Sequence, residues 1–209
     1  MTAIAARAAT LPVELGVASR ALPGETESGD GHLVASFRDG VLIAVADGLG
    51  HGPEAAAASR IAMEVLRERP DDAVTDLVRR CHAALHRTRG VVLSLASIDA
   101  RAQRMTWVGV GNVEAALICN GPVGLRRREG MARRGGVVGY QLPPLRAATL
   151  PLAHGDMLVF ATDGVSGEFH EALPLDLHPQ DAAEHVVRHY GKATDDALVL
   201  IARYAGAPS

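Results

Sequence analysis

Short apolar runs, rich in β-branched residues, recur along most of the chain and predict ten β-strands. Turn sequences separate many of these runs, and Arg38-Asp39-Gly40-Val41 is typical of a two-residue hairpin with Asp-Gly at its centre. Because short turns join antiparallel strands, the sheets should be largely antiparallel. The predicted strands are residues 13–19, 32–38, 41–46, 91–98, 104–110, 113–119, 123–128, 145–150, 157–162 and 197–204.

Apolar residues at helical spacing interrupt this strand pattern. A first helix is predicted from Pro53, which suits the first helical position, through Glu68. A second helix should follow with Asp71 or Asp72 as its cap, and a third is predicted over residues 179–190. Two consecutive helices inside a long antiparallel set indicate an α+β fold and argue against a parallel βαβ repeat. Neither a repeat nor a linker is evident, so residues 1–209 are predicted to form one domain.

The composition narrows the classes of protein that fit this pattern. With 209 residues, 48% of them hydrophobic, the chain can bury a sizeable core without a disulfide or a structural metal. Its two cysteines, Cys81 and Cys119, are too few for a disulfide framework and suit a reducing cytoplasmic environment. A net charge of -3 gives no general reason to bind nucleic acid, and neither a signal peptide nor a membrane span is predicted.

Aspartates stand at the ends of several predicted strands. The hairpin places Asp30 and Asp47 at its open end, on neighbouring strands. Asp163 follows a strand, whereas Asp195 and Asp196 precede one. In an antiparallel sheet the end of one strand lies beside the start of the next, so we expect these carboxylates to gather on one edge.

Clustered carboxylates repel one another unless cations compensate them, and Mg²⁺ and Mn²⁺ prefer oxygen ligands of this kind. Two such ions roughly 4 Å apart can bridge a water, lower its pKa and stabilise phosphoryl transfer. Asp-Gly is also a common hairpin turn, the interpretation that suits Asp39-Gly40. Asp47-Gly48 and Asp163-Gly164 differ, because the residues that follow them do not form an alternating strand.

Four sequence blocks carry a family resemblance. They are Ser28-Gly29-Asp30, Val45-Ala46-Asp47-Gly48-Leu49-Gly50-His51-Gly52, Ala161-Thr162-Asp163-Gly164 and Thr194-Asp195-Asp196-Ala197-Leu198. In order and spacing these blocks resemble the SpoIIE-type branch of the metal-dependent type 2C (PPM) serine/threonine protein phosphatases. Within that branch the chain is similar to the stressosome phosphatases, which share the segments 109–114 and 134–143.

The resemblance implies a four-layer αββα sandwich of two antiparallel sheets flanked by helices, with two Mn²⁺ or Mg²⁺ ions between the sheets. Asp47 would bridge both ions, with Asp47 and Asp163 central to catalysis. The implied metal ligands are Asp30, Asp47, the Gly48 carbonyl, Asp163 and Asp195, and Asp196 would support these ligands or replace one of them.

Two departures from the family pattern concern the substrate. Many type 2C phosphatases carry a histidine after the bridging Asp-Gly, where this chain has Leu49, and His51 is offset by two residues. The general acid is therefore His51, a metal-bound water or no group at all. No N-terminal arginine matches the family's phosphate-binding arginine. Arg133 and Arg134, in a basic stretch, are candidates for binding phosphoprotein, with an ordinary solvated surface as the alternative.

The implied function is hydrolysis of phosphoserine or phosphothreonine by a metal-bound hydroxide, without a phosphoenzyme. The expected partner is a phosphorylated STAS-domain protein of a stressosome or partner-switching pathway, and the phosphatase is expected to be a monomer. A catalytically weak or inactive module that binds the same partner is the alternative, which the missing histidine keeps open.

Overall fold

Two sheets account for the strands in the described part of the chain, residues 11–120, 127–130 and 134–206 of a computed structural model. The strands are β1 (Val13–Arg20), β2 (Asp30–Phe37), β3 (Gly40–Gly48), β4 (Val91–Asp99), β5 (Arg104–Val110), β6 (Glu114–Cys119), β7 (Arg127–Gly130), β8 (Ala148–Pro151), β9 (Met157–Ala161) and β10 (Ala197–Tyr204). The helices are α1 (Pro53–Glu68), α2 (Val74–Leu85), α3 (Phe169–Ala172) and α4 (Pro179–Tyr190).

Each sheet contains five antiparallel strands. The first sheet has the order β1-β10-β9-β6-β7 and the second has the order β2-β3-β4-β5-β8. The prediction of an antiparallel α+β fold is therefore confirmed. None of the helices in the described residues is both long and apolar enough to cross a membrane.

Alternating burial along β3 shows how the four layers form. Val41, Ile43 and Val45 pack into the core between the two sheets. Their neighbours Leu42 and Ala44 point the other way and pack under α1 and α2. Helices α3 and α4 cover the outer face of the first sheet through a third cluster. The predicted αββα sandwich is confirmed, and its central strands are apolar on both faces because both faces are covered.

The first hairpin has a different register from the predicted one. Phe37 pairs with Gly40, so the two-residue turn is Arg38-Asp39 and not Asp39-Gly40. Gly40 lies inside the sheet, where a Cβ would stand 1.9 Å from the carbonyl oxygen of Ile98. Close strand packing, and not the turn, therefore requires this glycine. The shift moves the pairing by two residues, which preserves the faces of both strands.

Three further differences are local. Neither Asp71 nor Asp72 caps α2, which begins after Ala73 without a side-chain cap. Asp72 instead accepts a hydrogen bond from Arg80 at 3.1 Å. The short helix α3 was not predicted, because four residues give no periodic signal. The predicted strand 123–128 lies mostly outside the described residues, and β7 continues from its last positions.

Candidate metal centre

The five predicted aspartates come from both sheets. In the second sheet Asp30 begins β2 and lies directly opposite Asp47 on β3. In the first sheet Asp163 follows β9, and Asp195 and Asp196 precede β10. Because β9 and β10 pair antiparallel, the end of one lies beside the start of the other. The structure therefore brings all five to the same end of the sandwich.

Three of these carboxylates share a pocket of about 280 Å³. Asp47, Asp163 and Asp195 line it together with Leu49, Gly50, His51, Val92, Asn112 and Thr194. Asp30 is next to Asp47 but borders an adjoining groove along β2 and α1. Asp196 is only 4% exposed. The five positions thus divide into three that face the pocket and two that flank it.

Burial and mutual repulsion strongly perturb the two opposed carboxyls. Burial, followed by the charge of Asp47, raises the pKa of Asp30 to about 8, although a hydrogen bond from Thr162 partly opposes this shift. Burial, followed by Asp163 and Asp195, raises the pKa of Asp47 to about 7. Among the described residues, no arginine or lysine forms an ion pair with either carboxylate. Ionisation of these two carboxyls is therefore unfavourable unless a cation from outside the protein compensates the negative charge.

Asp30 is held from the opposite sheet. The Thr162 hydroxyl donates to Asp30 Oδ2 at 2.8 Å and accepts from the Leu198 backbone N–H at 2.9 Å. Thr162 is 2% exposed, so this bond is shielded from water. No role was predicted for Thr162 from the sequence. Its position beside Asp163 at a strand end was the available signal.

Asp196 does not present a spare oxygen to the pocket. Its Oδ1 accepts from the Leu22 backbone N–H at 2.7 Å, and its Oδ2 accepts from the Gly29 N–H at 2.8 Å. The Ser59 hydroxyl donates to the carbonyl of the same Gly29 at 2.5 Å. Both bonds to Asp196 fix the loop before β2, so Asp196 acts on the position of Asp30.

Asp163 has two polar neighbours for which no role was predicted. The Asn112 amide donates to Asp163 Oδ2 at 2.6 Å. The Lys192 ammonium donates to the backbone carbonyl of Asp163 at 2.6 Å. These bonds fix both the carboxylate and the main chain of this residue. Asn112 lies in the segment 109–114, which supported the family resemblance but carried no assigned function.

His51 is paired with an acidic residue at the pocket rim. Its Nδ1 lies 2.6 Å from Glu25 Oε1, in the loop between β1 and β2. Gly52 leaves room for this contact, since a Cβ there would stand 2.9 Å from Glu25 Oε2. A carboxylate bound to Nδ1 orients the imidazole. Leu49, at the position where the family carries histidine, lines the same pocket.

The oxygen-rich donor set fits hard divalent cations. In the described part of the chain, no three acidic, histidine or cysteine side chains converge closely enough to hold an ion by themselves. An ion here would take one or two carboxylates and complete its shell with water and main-chain carbonyls, as Mg²⁺ commonly does. Gly48 has no room for a side chain, because a Cβ would stand 2.2 Å from the Ala55 carbonyl oxygen. Its carbonyl as a ligand stays a prediction.

Of the two arginines predicted to bind substrate, one lies in the described part of the chain. Arg133 lies outside the described residues. Arg134 is exposed, and its carbonyl accepts from the Gly111 N–H at 2.8 Å, one residue before Asn112. Arg134 is therefore attached to the wall of the pocket. Its contact with substrate stays a prediction.

Two five-stranded antiparallel sheets with helices on their outer faces define the fold class of the type 2C protein phosphatases. The chain belongs to the SpoIIE family, because the family model described as Stage II sporulation protein E matches residues 38–205.

Similar proteins support this assignment. The chain is 29% identical to the phosphoserine phosphatase RsbX of Bacillus subtilis over 94 residues, which are 45% of this chain and 47% of RsbX. A structure from a study of the bacterial stressosome as a modular system is 30% identical, with a TM-score of 0.85 over 91% of this chain and 99% of the other. A crystal structure of RsbX in complex with magnesium is 20% identical, with a TM-score of 0.82 over 92% and 96% of the two chains.

Replacing Asp196 should destabilise the protein even without metal. In Asp196→Asn an amide NH₂ replaces one of two acceptors, so the N–H of Leu22 or Gly29 loses its partner. We expect the free energy of unfolding, measured by urea denaturation in EDTA, to fall by about 1–2 kcal/mol. Asp195→Asn is the control. Asp195 faces the pocket, so its replacement should change the free energy of unfolding in EDTA only slightly. Equal losses for both variants would contradict the assigned roles.

The stability of the metal-free protein should fall as pH rises. In the unfolded chain Asp30 and Asp47 lose protons near the ordinary pKa of 3.8, whereas the folded protein retains them until about pH 8 and 7. The unfolded state thus binds fewer protons between these limits, so unfolding becomes easier by up to about 1.4 kcal/mol per pH unit for each group. Urea denaturation in EDTA at several pH values measures this slope.

The matched variants are Asp30→Asn and Asp71→Asn. The amide introduced by Asp30→Asn cannot ionise, so the slope should become shallower, whereas Asp71 is exposed and its replacement should leave the slope unchanged. A slope that persists in Asp30→Asn would show that other groups cause it.

Proposed function

We propose that the chain is a metal-dependent protein phosphatase that removes phosphate from phosphoserine or phosphothreonine of a partner protein. The pocket lined by Asp47, Asp163 and Asp195, whose carboxylates oppose the ionisation of Asp47, carries this proposal. Such a pocket attracts divalent cations and, once these are bound, a phosphate ester. The family and the fold class support the same chemistry.

Two Mn²⁺ or Mg²⁺ ions are the proposed cofactors. Asp47 is central, because it lies between Asp30 in its own sheet and the pocket carboxylates of the other sheet. The ions, when bound, neutralise the carboxylates, lower the pKa of water and offset charge on the phosphoryl group. Asp163, fixed by Asn112 and Lys192, and Asp195 would hold one ion, and Asp30 would hold or orient the other. RsbX has been crystallised with magnesium, which supports a divalent cation here.

The proposed substrate is a serine-phosphorylated STAS-domain protein of a stressosome or partner-switching pathway. Similarity to the phosphoserine phosphatase RsbX and to a stressosome protein supports this substrate. We further propose that residues 1–209 act as one catalytic unit and as a monomer. The segment aligned with RsbX spans about half of that protein, 47% of its length.

A second candidate function is a non-catalytic module that binds the same phosphoprotein. Leu49, in place of the family's histidine, is the observation that favours it. Against it, Asp30, Asp47, Asp163 and Asp195 are all present and grouped at one end of the sandwich. Buried repulsive carboxylates destabilise a fold, so a module without metal chemistry has no use for them.

Removal of metal or of its central ligands should abolish hydrolysis of p-nitrophenyl phosphate. We expect turnover with Mn²⁺ and none in EDTA, and Asp47→Asn and Asp163→Asn should lower kcat/KM by at least about 100-fold. Asp71→Asn, an exposed residue, is the control. Metal-independent turnover would overturn the mechanism, and tight phosphoprotein binding without any turnover would favour the module.

His51 should matter only when the leaving group needs a proton. The imidazole lines the pocket and is oriented by Glu25, which supports His51 as the acid that protonates the departing serine oxygen. His51→Ala should lower kcat for a phosphoserine peptide by about 100-fold and change p-nitrophenyl phosphate hydrolysis only slightly, since nitrophenolate leaves unprotonated. Glu25→Gln should give a smaller loss in the same direction. Equal losses on both substrates would exclude His51 as the acid.

A further inference from the structure

The segment of residues 134–141 is bonded to the pocket wall, and the function proposed above gives it no role. Its first anchor is the bond from the Gly111 N–H to the Arg134 carbonyl, at 2.8 Å. Gly111 immediately precedes Asn112, which lines the pocket. The start of the segment is thus fixed to the pocket wall.

A second anchor fixes the middle of the segment. Val138 and Val91 exchange two backbone hydrogen bonds, of 2.9 and 2.8 Å. Next to Val91, the Gly90 carbonyl accepts from the Leu49 N–H at 3.1 Å, and Leu49 lines the pocket. The segment is therefore joined at both anchors to backbone that carries pocket residues.

Tyr140 occupies a tight turn within this segment. The N–H groups of Tyr140 and Gln141 both donate to the Val137 carbonyl, at 3.1 and 2.9 Å. Gly139 adopts a φ of 105°, donates to His82 Nδ1 at 2.9 Å, and would place a Cβ 2.8 Å from that of Leu85. Only glycine satisfies these conditions. The tyrosine ring thus projects from a backbone that is fixed on both sides.

Tyr140 is 85% exposed and is the one exposed tyrosine, phenylalanine or tryptophan among the described residues. On the pocket wall, Leu49 is 36% exposed. Tyrosine loses little conformational entropy on binding, since it has two side-chain torsions, and it is enriched at the energetic centres of protein interfaces. An exposed tyrosine on a fixed backbone, bonded through residues 90–91 to the backbone of an exposed leucine, therefore marks a contact surface.

We propose that Leu49, Arg134 and Tyr140 form a docking surface for the folded phosphoprotein substrate, whose phosphorylated side chain enters the adjoining pocket. This inference rests on the function proposed above. Continuity with the pocket identifies the occupant, because a protein that delivers phosphoserine there meets Leu49 on the pocket wall, to which the segment is bonded. Arg134 is exposed and adds positive charge that suits a phosphorylated partner.

The pocket itself offers little basis for choosing between phosphoproteins. Its volume of about 280 Å³ suits a single phosphorylated side chain. Recognition of one protein among many must then come from contacts outside it, where a few buried side chains supply most of the binding energy. Tyr140 is outside the pocket and can contact only a substrate that extends beyond the phosphate ester.

The test compares Tyr140→Ala on a large and on a small substrate. With a serine-phosphorylated STAS-domain protein, we expect kcat/KM to fall by roughly tenfold or more, mainly through KM. With p-nitrophenyl phosphate, which cannot reach Tyr140, kcat/KM should stay within about twofold of the wild type. Tyr140→Phe should retain most of the activity, because the ring supplies the contact.

Leu177→Ala is the matched control. Leu177 is also an exposed apolar residue, 42% exposed, but its carbonyl accepts from Arg203 near the far end of β10. Leu177→Ala should leave kcat/KM unchanged for both substrates. Equal loss on both substrates in Tyr140→Ala, or no loss on either, would overturn the docking proposal. A wild-type dimer in analytical ultracentrifugation that Tyr140→Ala dissociates would instead identify a contact between copies of this chain.

Binding without catalysis separates this proposal from the proposed function. Isothermal titration of the phosphorylated STAS-domain protein into Asp47→Asn, with and without Tyr140→Ala, measures docking even if wild-type turnover is absent. A Kd about tenfold weaker in the double variant supports the surface whether or not the chain is an enzyme. Unchanged binding would overturn the surface while leaving phosphatase activity untouched.

Discussion

Repulsion between clustered carboxylates is the constraint on which the functional end of this protein depends. Asp30 and Asp47 lie directly opposite each other on paired strands, an arrangement that destabilises a sheet when both are charged. Asp163 and Asp195 add negative charge from the other sheet and help to raise the pKa of Asp47. The rest of the sandwich has to supply enough packing energy to hold these groups together without metal.

The apolar packing that holds the carboxylates together is continuous through the four layers. Central strands such as β3 are buried on both faces, so each contributes to two apolar clusters at once. Across the sheets, Thr162 links Asp30 to the backbone of β10, and Asp196 links β10 to the loop before β2. Since the clustered aspartates come from both sheets, these two cross-links and the core between the sheets determine how the carboxylates are arranged.

Much of this arrangement was predictable from the sequence, because alternating apolar runs and short turns are local signals. The aspartates at strand ends followed from the same signals. The hairpin register did not, since Gly40 is required by the carbonyl of Ile98, a residue distant in sequence. The roles of Thr162 and Asp196 depend on contacts between sheets, which no local pattern contains. Family resemblance drew attention to segment 134–143 but not to the exposure of Tyr140.

Burial of an aspartate does not by itself mark a functional site, and Asp156 shows why. This residue is 3% exposed, and its two oxygens accept from the backbone N–H groups of Asn120 and Ala153 at 2.7 and 2.8 Å. Asp196 is satisfied by two backbone donors in the same way. Asp47 instead faces carboxylates across a pocket. The distinguishing property of Asp47 is that neighbouring carboxylates oppose its ionisation, which becomes favourable only when a cation supplies compensating charge.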